Sequence, residues 1–161
     1  MEEEEDLFFM EKACQLAEDS VQKGGGPFGS VIVLKDGTIV GQGRNQVTEK
    51  KDPTLHAEIV AIRNACEFTQ DFRLSGCTLY SSCEPCPMCL SAIYWARIDK
   101  VVYGNTREQA KNIGFDDSFI YEEISKPIEE RKIQMTHLTV DMDMTKNAFD
   151  MWSEKIVKIE Y

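Results

Sequence analysis

The sequence predicts an α/β fold in which one sheet carries both antiparallel and parallel strand pairs, with helices on its faces. Two observations lead there. From residue 53 to residue 113, segments of helical apolar spacing alternate with short β-branched runs, a pattern that implies parallel strands joined by right-handed crossovers. Ahead of that region, the runs 29–34 and 38–43 flank Lys35-Asp36-Gly37. Asp-Gly between two such runs is a strong hairpin signal, so this pair is expected to be antiparallel.

Taken in order, residues 1–6 form an acidic, solvated lead-in. Leu7, Met10, Cys14, Ala17 and Val21 then recur at helical spacing and predict a helix over 7–22. Gly24-Gly25-Gly26 stops it; the run lacks the Gly-Lys-Ser/Thr ending of a phosphate loop. A helix is expected over 53–68, with Asp52 as its cap and Pro53 in the first helical position. Strands are expected at 76–81 and 100–103, and helices at 85–96 and 106–113. Ile133, Met135 and Leu138 partly alternate, which predicts a late strand over 132–140. Ala148, Trp152 and Ile156, each four apart, predict a closing helix over 144–157.

A chain of 161 residues is expected to form one domain, 1–161, large enough for a full apolar core. Charged residues make up 29% and hydrophobic ones 42%, the balance of a soluble globular protein. No apolar run approaches the ~20 residues of a membrane span. The acidic start is unlike a secretory signal, so a cytoplasmic location is expected. In that compartment six cysteines suggest metal binding or free thiols rather than disulfides, and Cys14, Cys66 and Cys77 read as core thiols. A net charge of −10 disfavours a nucleic-acid partner, whose phosphates call for a basic patch. A small neutral molecule is the easier substrate.

The chemistry concentrates in His56-Ala57-Glu58 and Pro85-Cys86-Pro87-Met88-Cys89. His56, Cys86 and Cys89 are zinc-ligand types. Three protein ligands leave a tetrahedral zinc one open position for water, and zinc brings the pKa of that water to about 7. Cys86 and Cys89, three apart at a helix start, share a face. The helix dipole there favours the thiolates that bind metal. Glu58 is then a carboxylate free to shuttle protons. A second reading uses Cys83 as a fourth ligand, closing a structural Cys₃His site and leaving Glu58 on the surface; it implies a non-catalytic zinc-stabilised binding module. Cys83→Ser separates the two by zinc content.

The His-x-Glu…Pro-Cys-x-x-Cys pattern is the signature of zinc nucleobase deaminases. With Gly26-Pro27-Phe28-Gly29, Asn45, residues 52–58 and residues 82–89, the chain resembles the cytidine deaminase superfamily. Residues 92–97, the block 114–121 and the terminal Tyr161 are similar to its small bacterial guanine-deaminating branch. The resemblance implies a three-layer α/β/α sandwich around a mixed five-stranded sheet. It also implies one Zn²⁺ per subunit and a homodimer that exchanges its C-terminal segment. The implied reaction is hydrolysis of guanine to xanthine and ammonia, with guanosine or another base or nucleoside as the alternative substrate. By position, His56, Cys86 and Cys89 would hold zinc. Glu58 and Asp117 would handle protons. Phe28, Asn45, Trp95 and Tyr161 would form the base pocket, Tyr161 from either chain. On residue type alone, Phe28 and Trp95 equally suit a core. Asn45, Asp116 and Asp117 equally suit turns.

Overall fold

The computed structural model describes residues 2–138 and 142–161. These divide into two compact units, one ending at Phe119 and one spanning Ile120–Tyr161.

The first unit begins with helix α1 (Glu2–Gln22), which starts five residues ahead of the expected helix. Glu2, Glu3, Glu4 and Glu5 form its first turn, where the positive end of the helix dipole favours carboxylates. Gly24, at φ +80°, ends the chain's helical path. Strand β1 (Gly29–Val33) and strand β2 (Ile39–Arg44) form the expected hairpin. Its turn is closed by Gly37 at φ +86° and by an Asp36 Oδ1 bond accepted from the Thr38 N–H at 2.9 Å. A one-turn helix, α2 (Val47–Lys50), leads to α3 (Ala57–Thr69), then strand β3 (Thr78–Cys83), α4 (Pro87–Trp95), strand β4 (Lys100–Asn105) and α5 (Arg107–Asn112).

Two helices start later than the sequence suggests. Asp52 does not cap α3: its Oδ1 accepts from the Thr54 N–H at 2.9 Å and the Thr54 hydroxyl at 2.6 Å, building a separate turn around Pro53. His56 is the N-cap instead. In the same way Pro87, not Pro85, takes the first position of α4, behind Cys86 as N-cap.

The strands lie in the order β2-β1-β3-β4. β1 runs antiparallel to β2 and β3, and β3 parallel to β4. Alternation along each strand splits the core in two. Val31, Val33 and Tyr80 pack with Phe9 and Ala13 of α1. Ile32, Val40 and Leu79 pack with Ala61 and Ala65 of α3 and with Ile93 of α4. Both helix layers come very close. A Cβ on Gly29 would stand 2.1 Å from the Ala13 carbonyl, and one on Gly43 2.3 Å from that of Ala57, so glycine is what lets these helices dock.

The sheet has four strands among the described residues, not the five expected. Residues 132–138 form no strand, and 139–140 lie outside the described residues. The alternating pattern there lacks a pairing partner: the Lys132 N–H, which a ladder would need, goes to Glu123 Oε2 at 2.6 Å. Arg131 Nε donates to the carbonyls of Glu123 at 3.0 Å and Lys126 at 3.2 Å.

The second unit takes most of α6 (Ser118–Ser125), then a 3₁₀ turn (Ile128–Glu130) and α7 (Met142–Glu154). Lys155 Nζ sits 5.2 Å from the centroid of the Trp152 ring, at the end of α7.

Candidate metal centre and active site

Two helix starts meet here. His56 and Cys86 are the N-caps of α3 and α4, each with extended backbone rather than helical. That geometry lets His56 and Glu58, two apart, reach one place, which mid-helix positions would not allow. The ligand-type atoms of His56, Cys86 and Cys89 all lie within 4.8 Å of one another. His56 Nδ1 is 3.4 Å from Cys86 Sγ, close to the ~3.5 Å between two donors on a tetrahedral zinc. An imidazole and two thiols at this spacing fit one zinc ion.

The electrostatics suit a cation. Bonding from the Cys89 thiol and then from the His56 ring, against the cost of burial, holds the Cys86 thiol down at about 4. Cys89 is pushed up by its bond to Cys86 and by burial. The Cys86 contact raises His56. Cys83 stands apart from the cluster. Burial pushes its thiol up to about 11, and its Sγ lies 3.9 Å from the Thr106 carbonyl. The three-donor set therefore leaves a coordination position open, and the closed Cys₃His alternative loses its fourth ligand.

Glu58 is 5% exposed, on the first turn of α3. Burial raises its carboxyl above the usual range. The Ser81 hydroxyl donates to its Oε1 at 3.0 Å. Ser81 carries no signal in the sequence beyond being one of two adjacent serines in a strand buried throughout its last five residues.

Phe28 and Asn45 extend the β1–β2 hairpin, the Asn45 N–H donating to the Phe28 carbonyl at 3.1 Å. Asn45 is buried, and its Oδ1 accepts from the Val47 N–H at 3.2 Å. The amide's remaining donor end is Nδ2. The Phe28 ring meets Phe115 edge to face at 4.9 Å; Phe115 had drawn no assignment of its own. A Cβ on Gly26 would press within 3.2 Å of the Phe28 ring and 3.5 Å of Asn45 Cγ, so Gly26 keeps the two side by side.

Of the adjacent aspartates, Asp116 accepts from the Ser118 N–H at 2.9 Å and from the Ser118 hydroxyl, capping the turn into α6. Asp117 is part-buried. Burial first, then the negative charge of Cys86, raises its carboxyl, while its own backbone and Arg107 oppose the shift. Trp95 is the last residue of α4, six beyond Cys89, and is 59% exposed. Tyr161 ends the second unit.

A zinc-ready pair of thiols and an imidazole, set at two helix starts beside a buried glutamate, defines a class. The chain belongs to the cytidine and deoxycytidylate deaminase zinc-binding family, whose model matches residues 3–105. It is 50% identical over 154 residues to the guanine deaminase of Bacillus subtilis, covering 95% of this chain and 97% of that protein. The X-ray structure of guanine deaminase from that organism superimposes with a TM-score of 0.90 at 49% identity, over 96% of this chain and 97% of that one. A tRNA-specific adenosine deaminase from Aquifex aeolicus is 43% identical over 96 residues, which is 60% of this chain and 63% of that protein. Among the described residues, no helix is long and apolar enough to cross a membrane.

Proposed function

We propose that this chain hydrolyses guanine to xanthine and ammonia. The observation that carries deamination is the three-donor set beside a buried carboxylate that is not one of the donors. The choice of guanine rests on likeness to the Bacillus subtilis enzyme across both units. That likeness also supports treating residues 1–161 as one functional domain.

His56, Cys86 and Cys89 would hold a zinc ion, which would supply Lewis acidity and lower the pKa of a water. Glu58 takes a proton from the attacking water at a carboxylate oxygen as that water's oxygen bonds to C2 of the base and the C2–N3 double bond opens. It then delivers the proton to ring N3. Asp117, or Glu58 itself, passes the proton of the hydroxyl now on C2 to the amino group, so that the C2–N bond breaks, ammonia departs and C2=O forms. Asn45 Nδ2 donates to the base, and the Phe28 ring, braced by Phe115, packs on its face. Trp95 helps to close the pocket, and a Tyr161 from either chain is proposed to do the same. Positioned acid–base groups of this kind contribute about 10²–10⁴-fold.

The six free cysteines support a cytoplasmic setting. The exposed Leu90, Tyr94 and Trp95 of α4 support a homodimer, with exchange of the C-terminal segment as the mode of association.

The test is ammonia release by the zinc-quantified protein from guanine, guanosine, adenine, cytosine and cytidine. Turnover of guanine alone is expected. Turnover of guanosine or another member instead would keep the chemistry and overturn the pocket assignment. One zinc per chain with no turnover of any member would overturn the reading.

A further inference from the structure

We propose that Ser81 is a positioning residue, whose hydroxyl holds one oxygen of the Glu58 carboxylate and leaves the other to move the proton. The inference rests on the deamination reading above and adds to it a residue that neither touches the base nor binds zinc.

Leu79, Ser81 and Cys83 alternate along β3 onto the face covered by α3. Leu79 fills its place by packing. Ser81, 2% exposed, fills its own with a polar group, which is costly to bury unless it is hydrogen-bonded. Its neighbours in the sheet show what structural serines do here. Ser82 Oγ accepts from the Gly29 N–H at 3.0 Å, and Ser30 Oγ donates to the Tyr80 carbonyl at 3.0 Å. Both tie a side chain of one strand to the main chain of the other, between β1 and β3. Ser81 spends its proton on a side chain, Glu58 Oε1, at 3.0 Å.

The consequence is asymmetry. A carboxylate has two equivalent oxygens and a broad terminal torsion. A proton shuttle serving a water and a ring nitrogen needs one oxygen at a fixed place, since ~1 Å of misplacement can cost 10²-fold. The helix start fixes Glu58 at its Cα, and Ser81 fixes it at Oε1. Cys89 is also near enough to act on the Glu58 carboxyl, but as a zinc ligand it would be a thiolate with no proton to give. The Ser81 hydroxyl is then the donor that stays.

The experiment compares zinc-loaded wild type with Ser81→Ala, Ser81→Thr and Ser81→Val, reading kcat, KM, zinc per chain and Tm. Thr and Val share a shape and differ in the hydroxyl. Thr is expected to retain most of the wild-type kcat. Val and Ala are expected to lose about 10–100-fold in kcat, with KM and zinc content unchanged. Equal kcat for Thr and Val, or wild-type kcat for Ala, overturns the proposal. So does a loss in which KM, zinc and Tm move together, the mark of a packing role. If Thr and Val do not fold, Ala decides alone. A wild type that turns over no base sinks the deamination reading itself, and the wild-type measurement shows this separately from the variants.

Discussion

Tyr80 and Ser81 are neighbours on β3, and each gives its hydroxyl proton to a carboxylate on a helix, from opposite faces of the sheet. Tyr80 donates to Asp6 of α1 at 2.7 Å, and Ser81 to Glu58 of α3 at 3.0 Å. The outcomes are opposite. Asp6 also meets Lys100 Nζ at 3.2 Å, and the Tyr80 bond above all holds its carboxyl below the ordinary value. Glu58 lies sealed in protein, and burial pushes its carboxyl up. One carboxylate is placed where charge is comfortable and serves the fold. The other is placed where charge is costly, which suits a group that must take up and release protons.

The sharpest way to break this contrast is to neutralise each acid. Glu58→Gln is expected to keep one zinc per chain and lose about 10²–10⁴-fold in kcat for ammonia release. Asp6→Asn is expected to leave kcat unchanged. Equal losses would dissolve the distinction.

The close helix contacts sharpen it next. Gly29→Ala and Gly43→Ala each force a Cβ into a helix carbonyl, at 2.1 and 2.3 Å. Both should lower stability by roughly 1–3 kcal/mol or more in denaturant unfolding. Only Gly43→Ala presses on Ala57, between His56 and Glu58, so only it should also weaken zinc retention against a chelator.

Stability against pH gives a third view, in zinc-free protein. The Asp6 contribution is complete above its unfolded value of 3.8 and is lost as pH falls through its lower folded value. Glu58 behaves in reverse. Its contribution is complete below 4.5 and is lost as pH rises through its raised folded value. Asp6→Asn should therefore flatten the acid limb of a plot of Tm against pH. Glu58→Gln should raise Tm at neutral pH. The smallest effect is Tyr80→Phe, at about 1 kcal/mol of unfolding free energy for one hydrogen bond, with kcat intact.

The candidate metal donors, which the fold does bring together, and the buried glutamate beside them were legible because metal chemistry restricts residue type and the motifs keep their members close in sequence. The helix starts were less so. Pro53 and Pro85 look like first helical residues, yet His56 and Cys86 take the caps without making a side-chain cap bond. Residues proposed to hold a metal are not chosen for cap preference. The late strand failed for a different reason. Alternation at Ile133, Met135 and Leu138 marks a possible strand but cannot supply the neighbour that would pair with it. Ser81 and Phe115 were invisible because their roles arise from partners 23 and 87 residues away in sequence, Glu58 and Phe28.

The placement of His56 and Cys86 at helix caps also matters to anyone wishing to alter this protein. Their positions are set by main-chain turns, at φ −67° and ψ 158° for one and φ −66° and ψ 169° for the other. Of the residues proposed to meet the base, Phe28 and Asn45 lie at the β1–β2 hairpin rather than at these two caps. On the proposed reading, part of the base contact is thus carried on a piece of chain separate from the helix starts that would hold the metal. A library confined to residues 26–28 and 45 is expected to vary the proposed base contacts while leaving the turns at His56 and Cys86 in place.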